Sequence, residues 1–556
     1  MPRPTRACWS GSHGRHRRRG PRFRRGRDRG RLRRALHAAP PARAGDVRRR
    51  TGTGRWRRRD LVLEPVPGAR CDSESYYYCY SFDRELEQEW TWTERYPRQP
   101  EIKAYLDHVA DRFDLRRDIR FSTTVTGARA DADGRGWTVS VQEGTDLHCR
   151  FLVTAVGCLS AANVPDLPGL ETFAGRWFHT GRWPHEGVDV TGRQVGVVGT
   201  GSTGIQAIPV LAREAAHLTV LQRTPNYSVP ARNGPLSEAE SRSYKADYAD
   251  IRAVQAASAN GHPFVVNPQS ALEVDAAERD GVYRAAWERG GLRFRASYRD
   301  LLADEEANET ASEFVRDRIR EIVRDPETAA RLLPHDHGFA TKRPPIDTGY
   351  FETYNRDDVT LVDVRADPVE AVVPEGLRLR SGAVHELDDI VFATGFDALT
   401  GPLLRLDPTG PDGTSLRSAW WDGPRTYLGL AVSGFPNLFT ITGPFSPSVL
   451  TNMPSSIEQH VDWIAGCLAH LRATGADRIE ADPGAEQAWG EHNREAADAT
   501  LLPRAATSWY LGANVPGKPS VFMPYAGGFA RYAGTCADVA RDGYRGFRLG
   551  HRRAVA

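Results

Sequence analysis

Cysteine is scarce, with 7 in 556 residues and none in a C-x-x-C pair. That removes the usual zinc spacing and leaves no disulfide framework. No apolar run approaches the ~20 residues that a membrane-spanning helix needs. The opening residues also lack the apolar core of a secretory signal. Lysine is missing from residues 1–60, where 22 arginines and 3 aspartates give a formal +19. Because the whole chain carries only +3, the remainder carries −16. These absences describe an acidic body with a very basic leader, expected in a reducing cytoplasm without metal or membrane span. The length allows two to four domains with substantial cores.

What is present is organised around Val195 to Thr224. An apolar run (Val195, Val197, Val198) meets Gly199-x-Gly201-x-x-Gly204, a helix-like segment follows, and Leu218 to Leu221 closes the unit. In such a strand–turn–helix–strand unit the first glycine permits the turn. The second lets a pyrophosphate approach the backbone, and the third lets the helix pack on the strand. The free N–H groups of a helix opening near Thr203 then face an anion. This predicts a dinucleotide site on Thr200, Gly201, Ser202, Thr203, Gly204, Ile205 and Gln206. About 20 residues beyond the glycines, NAD-binding units carry an acid, whereas an arginine accommodates the 2′-phosphate of NADP. Here Arg223-Thr224 stands in that place, with a solvated surface arginine as the bland alternative.

The leader has two readings. Arg15 to Arg59 has the composition of a disordered basic arm for nucleic acid or a membrane surface. Alternatively, arginine codons read one base later become codons for Val, Ala, Gly, Asp or Glu. With G+C-rich codons, Arg29 to Ala35 then gives G-A-G-F-A-G-L, a first glycine turn. In the same frame Trp56 to Pro67 gives G-V-G-G-T-W-Y-W-N-R-Y-P. The second reading makes residues 1–66 the frameshifted start of a first dinucleotide-binding domain, with the native frame resuming near Gly68.

Downstream, Ile102 to Phe113 has helical spacing, and FSTTVTGARA, GWTVSVQE and CRFLVTAVG alternate as antiparallel strands. Ser237-x-x-Glu240 reads as a capping box opening a helical block. Its stripe (Phe314, Val315, Ile319, Ile322, Val323) is expected to end at Asp325-Pro326. Leu387 to Asp397 reads as a buried strand, and Glu458 to Leu471 as a helix.

Several segments carry a resemblance: Gly68-Ala69-Arg70-Cys71-Asp72-Ser73-Glu74, Phe173-x-Gly175-x-x-x-His179-x-x-x-Trp183-Pro184, Lys342-Arg343-Pro344, Thr451-Asn452-Met453 and Ser508-Trp509. Together they resemble the flavin-dependent Baeyer–Villiger monooxygenases over essentially Pro67 to Phe547. The resemblance implies an α/β fold of two dinucleotide-binding, Rossmann-like domains with a helical insertion. It places a FAD domain at 67–160 and 384–556, with residues 1–66 as its frameshifted start, an NADP domain at 161–232 and 337–383, and the insertion at 233–336.

It further implies that Arg343 is catalytic with Asp72 orienting and moderating it. Arg70, Cys71, Asp72, Tyr78, Val125, Lys342, Arg343, Met453 and Trp509 would lie along FAD and NADP(H). Phe173, Gly175, His179 and Trp183 would form the link coupling the domains, with Gly175 for the bend and His179 as hinge rather than acid or base. The chemistry wants such an arginine, because the peroxide that reduced flavin forms with O₂ attacks as an anion. A charge pair at ~4 Å and an effective dielectric of ~20 is worth about 4 kcal/mol, enough to move an ionisation by several units.

The function so implied is FAD- and NADPH-dependent insertion of one oxygen of O₂ beside a small ketone's carbonyl, giving an ester or lactone, with possible sulfoxidation. Two alternatives stand beside it. One is a flavin-free NADP-binding protein with a nucleic-acid-binding arm, since the flavin glycines are absent from the chain as written. The other is a flavin N-hydroxylase, whose kind lacks the FxGxxxHxxxW segment.

Overall fold

Alternating valines between Gln194 and Val198, a glycine turn and an uninterrupted helical stripe form their elements where the pattern puts them. The computed structural model describes residues 66–551. Five strands, β1 (Arg176–His179), β2 (Gln194–Val198), β3 (His217–Gln222), β4 (Val359–Asp363) and β5 (Asp389–Phe392), make one all-parallel sheet. Its order is β4-β3-β2-β5-β1. Helix α1 (Ser202–Glu214) crosses from β2 to β3 and buries Ile205, Ile208 and Leu211 against Val195, Val197 and Val220.

Two expectations are corrected here. The chain was expected to leave this domain at residue 384, but β5 bonds to both β2 and β1 and therefore belongs to this sheet. All four of its residues are buried, as a central parallel strand requires. The crossing comes afterwards, at Ala393-Thr394-Gly395. The segment Phe173–Trp183 is likewise no mere link, because it supplies edge strand β1. Gly175 is needed there for close approach rather than for a bend: a Cβ would collide with the Asp388 carbonyl.

The insertion shares a core with this domain rather than standing apart. Tyr283, Trp287, Phe294, Phe314 and Phe339 pack continuously with the residues around α1. Its capping box forms as expected, with Glu240 N–H donating to Ser237 Oγ at 3.2 Å and Ser237 N–H to Glu240 Oε2 at 2.8 Å. The long helix Glu305–Ile322 ends slightly before the expected stop. Asp325 instead caps a new helix, Pro326–Leu332, with proline at its first position.

The remaining body holds a parallel pair, Leu152–Thr154 with Leu438–Thr440, and a meander of Val125–Ala130, Trp137–Val141 and Leu147–Cys149. Helix α2 (Met453–Thr474) packs Val461, Trp463 and Ile464 into a core with Tyr532 and Cys536. The strands Ala476–Ala481 and Phe547–His551, which no sequence pattern announced, close it as an antiparallel pair. The basic leader, with its postulated flavin turn, lies outside the described residues. Among the described residues no helix is long and apolar enough to cross a membrane.

Candidate active site

The dinucleotide turn has the geometry its glycines imply. Gly199 has φ +110°, and a Cβ there would stand 2.7 Å from the Ala393 carbonyl. At Gly204 a Cβ would strike the Gly199 carbonyl, whereas at Gly201 it would meet nothing within 4 Å among the described residues. The first and third glycines thus serve the fold, and the second leaves room above the backbone for a ligand. Helix α1 opens beside it with no side-chain cap, so its first N–H groups are free for an anion. Thr200 donates its hydroxyl to the Thr224 carbonyl at 3.0 Å, tying this turn to the corner bearing Arg223. Ser202 and Thr203 stand at the mouth. Ile205 does not: its side chain is buried in the core and its N–H bonds to the Gly201 carbonyl at 2.9 Å.

At the end of β3, Gln222, Arg223, Arg331, Asp336 and Arg365 line an open cleft of about 360 Å³. Lys342 approaches from behind, 3.6 Å from Asp336. Burial, with Arg223 and Arg365 nearby, pulls the Lys342 pKa below its usual value despite that carboxylate. Arg223, Arg331 and Arg365, with Lys342 beside them, face the acids Glu327, Asp336 and Asp363, and the forked guanidiniums suit a phosphate. Arg365 and Asp336 carried no sequence signal.

The second cluster surrounds Arg343. Its Nε and Nη2 grip both carboxylate oxygens of Asp72, the latter at 2.9 Å, and Nη1 donates to the Val449 carbonyl at 2.7 Å. Burial opposes charge on both partners, but each outweighs it for the other: Asp72 stays below the usual carboxylate range and Arg343 stays protonated. Cys71 is held a neutral thiol, first by burial and then by Asp72. Tyr78 is held a neutral phenol by burial, with Cys71, Asp72 and Arg343 all within electrostatic reach. Tyr510 is buried beside Arg343 and next to Trp509, whose ring centroid lies 4.6 Å away. Trp509 is partly buried and, like Met453 and Leu302, packs on the cluster that holds Tyr510, Leu511 and Met523.

The side chain of Arg70 bonds to Glu94 and to the Tyr96 carbonyl at 2.8 Å, so its guanidinium is spent inside the protein. Gln206 is spent on the Arg70 peptide. Val125 pairs with Val141 in the meander and packs on the cluster around Trp137. His262, missed by sequence reasoning, is buried over the site with Nε2 3.1 Å from Ser73 Oγ and Nδ1 2.9 Å from the Asn260 carbonyl.

The domain crossings run side by side. Asn163 N–H donates to the Gly395 carbonyl at 3.0 Å and Asp397 N–H to the Ala161 carbonyl at 2.8 Å. The late loop clamps them: Lys518 Nζ lies 2.7 Å from Asp397 Oδ1, and Asn514 Nδ2 donates to the Phe396 carbonyl at 2.8 Å. The buried His179 accepts from Gly181 N–H at 2.9 Å and stands edge-on to Phe396 at 6.3 Å. The Asn163 and Gly395 backbone of the crossings lies close enough to this ring to favour its protonated form in part. Burial and Arg182 pull its pKa down to about 4, so it is neutral. Trp183 is buried against Phe178, their rings 5.5 Å apart, and Phe173 packs beside Leu387 and Phe392.

Residues 81–257 match a family model described as pyridine nucleotide-disulphide oxidoreductase. The chain is similar to the acetone monooxygenase (methyl acetate-forming) of Gordonia sp. strain TY-5. The two are 41% identical over 500 residues, 90% of this chain and 92% of that one. It is similar to a Baeyer–Villiger monooxygenase of Pseudooceanicola batsensis, 42% identical over 89% of this chain and 88% of the relative. The chain belongs to the Baeyer–Villiger monooxygenases. A solved structure titled oxidised steroid monooxygenase bound to NADP superposes on this family member with a TM-score of 0.84. That pair is 51% identical over 88% of this chain and 92% of the other.

The residues of this Baeyer–Villiger monooxygenase fit both cofactors of a two-dinucleotide flavoprotein. The space above Gly201 and the cationic cleft fit NADP. For flavin, Asn452 Oδ1 and Ser456 Oγ are buried at the N-terminal end of α2 without partners among the described residues. They offer polar atoms and a helix end to a heterocycle with carbonyls and ring N–H groups.

Proposed function

We propose that this monooxygenase takes electrons from NADPH through FAD and inserts one atom of O₂ beside the carbonyl of a small ketone. The product is an ester or lactone, and sulfoxidation is a side activity. The observation that carries this is the Arg343–Asp72 pair, largely buried and bidentate where the Arg70–Asp72 loop meets the nucleotide domain. Bound flavin supplies the two-electron reduction of O₂. Asp72 and Val449 use three of the five N–H donors of Arg343, and two remain for an oxygen that carries negative charge. A permanently charged donor, fixed before the reaction and shielded from water, is what such an anion requires. Asp72 holds the fork in place and tempers its charge.

Arg223, Arg365 and Lys342 take the 2′-phosphate, while the opening of α1 takes the pyrophosphate. His179, neutral and against Phe396, couples the sheet to the crossings without exchanging a proton. The six described cysteines are all unpaired thiols, which supports a reducing cytoplasm.

The test begins with the full chain. Its visible spectrum should show flavin absorbance near ~450 nm. A ketone panel with NADPH under air should then give ester or lactone in step with NADPH consumed. Arg343→Ala should abolish product, and an Arg343→Ala protein oxygenating ketones at the parent rate would overturn the reading.

A further inference from the structure

The insertion is laid directly over the Asp72 loop. His262 bonds to Ser73, and Arg293, in the 3-10 turn Gly291–Ala296, places Nε 3.2 Å from Glu74 Oε1 and Nη2 3.3 Å from the Tyr76 hydroxyl. Two residues on, the same turn presents Arg295. Its charge is felt by Arg343, Asp72, His262 and Tyr510, so it reaches the same chamber. Three guanidiniums therefore surround this space. Arg293 has Glu74, and Arg343 has Asp72 and Val449. Arg295 has neither a hydrogen bond nor a carboxylate among the described residues, and its Nε is fully buried without an acceptor.

A largely buried cation beside a second cation, whose nearest carboxylate, Asp72, is already gripped by Arg343, is a costly arrangement that protein interiors keep where an anion arrives from outside. Burial works first against its charge and Arg343 adds to that, while Tyr510 and Asp72 offset part of it, and an incoming carboxylate would stabilise the cation. The dinucleotide phosphates have their own groups, at the opening of α1 and at the Arg223–Lys342 corner. Arg295 belongs instead to the insertion, in the 3-10 turn that bonds to the Asp72 loop through Arg293.

We infer that Arg295 is a specificity-determining residue, and that the ketone this enzyme takes carries a carboxylate which the Arg295 guanidinium receives. The inference rests on the Baeyer–Villiger reading for the ketone, while the anion preference stands on Arg295 alone. A fork of terminal N–H groups matches a carboxylate with two parallel bonds, and in a desolvated chamber such a pair discriminates strongly against a neutral isostere.

The test uses the full chain and two probes, 4-oxocyclohexanecarboxylate and its methyl ester, with binding read by calorimetry and turnover read separately. The carboxylate should bind at least about thirty-fold more tightly than the ester, and raised salt should weaken only the former. Arg295→Met should collapse this ratio to near one, and Arg295→Lys should leave part of it. Thermal unfolding checks that each variant is folded. Equal binding of both probes by the parent protein overturns the inference. So does an Arg295→Met protein that keeps the preference, or one whose main loss is NADPH affinity. Should the carboxylate preference hold but neither probe yield lactone, the reaction assignment fails and the anion site stands.

Discussion

The side-chain amide of Gln206 brackets the peptide of Arg70, accepting its N–H at 3.2 Å and donating to its carbonyl at 3.3 Å. The helix that opens on the dinucleotide turn is thereby bonded to the loop that ends in Asp72. Gly68 presses on the same helix, with no room for a Cβ against the Gln206 carbonyl.

Gln206→Ala removes both bonds and leaves a partly buried peptide unpaired. Stability should fall by about 1–3 kcal/mol in denaturant unfolding. The KM for NADPH should rise more than kcat falls, since the clamp sets where the cofactor helix lies.

Arg223→Ala should raise the KM for NADPH by roughly ten- to hundredfold and leave that for NADH nearly unchanged. A charge-assisted contact to the 2′-phosphate is worth about 1.5–3 kcal/mol. Parallel kinetics with the two nicotinamides measure it.

Arg343→Lys keeps a positive charge but cannot hold both Asp72 oxygens and the Val449 carbonyl in one plane. Ketone oxygenation should drop about a hundredfold, with NADPH oxidation falling less. The ratio of ester formed to NADPH consumed reports the difference.

Three buried histidines make the fold acid-sensitive. Burial pulls His179 to about 4 and His262 and His460 to about 3, with Arg182 adding to the first and Arg343 to the second. Unfolded, each takes a proton near pH 6.5. Stability is therefore full above about pH 6.5 and is lost as pH falls towards 4, at up to about 1.4 kcal/mol per pH unit for each ring. Unfolding midpoints between pH 8 and 4 should show this slope, and His460→Gln should reduce it by one ring's share.

Gly175→Ala sets a methyl group against the Asp388 carbonyl. A loss of at least about 1–3 kcal/mol is expected from overpacking at backbone. Its measure is the thermal unfolding of the full chain.

The glycine turn, α1 and the capping box were legible because each is encoded within a few residues. The Arg343–Asp72 pair joins positions 271 residues apart, so no periodicity could reveal it and only resemblance brought its halves together. Sheet membership of β5 was misread for a related reason: a fully buried strand looks alike in either domain, and hydrogen bonding to β1 and β2 decides it. Arg295 sits in a short 3-10 turn whose RFR spacing has no helical or strand period. Its meaning lies in the partner it lacks, and sequence does not record that. For Ile205 and Gln206 the motif gave the right helix, while the rotation of that helix turned one side chain to the core and the other to Arg70.

The paired crossings near Asn163 and Phe396 act as one flat strap, not as two cords. A strap flexes readily about the line across its width and resists twist, because twisting must break the bonds joining its edges. The Asn163–Gly395 and Asp397–Ala161 bonds therefore oppose any rotation of one crossing about the other.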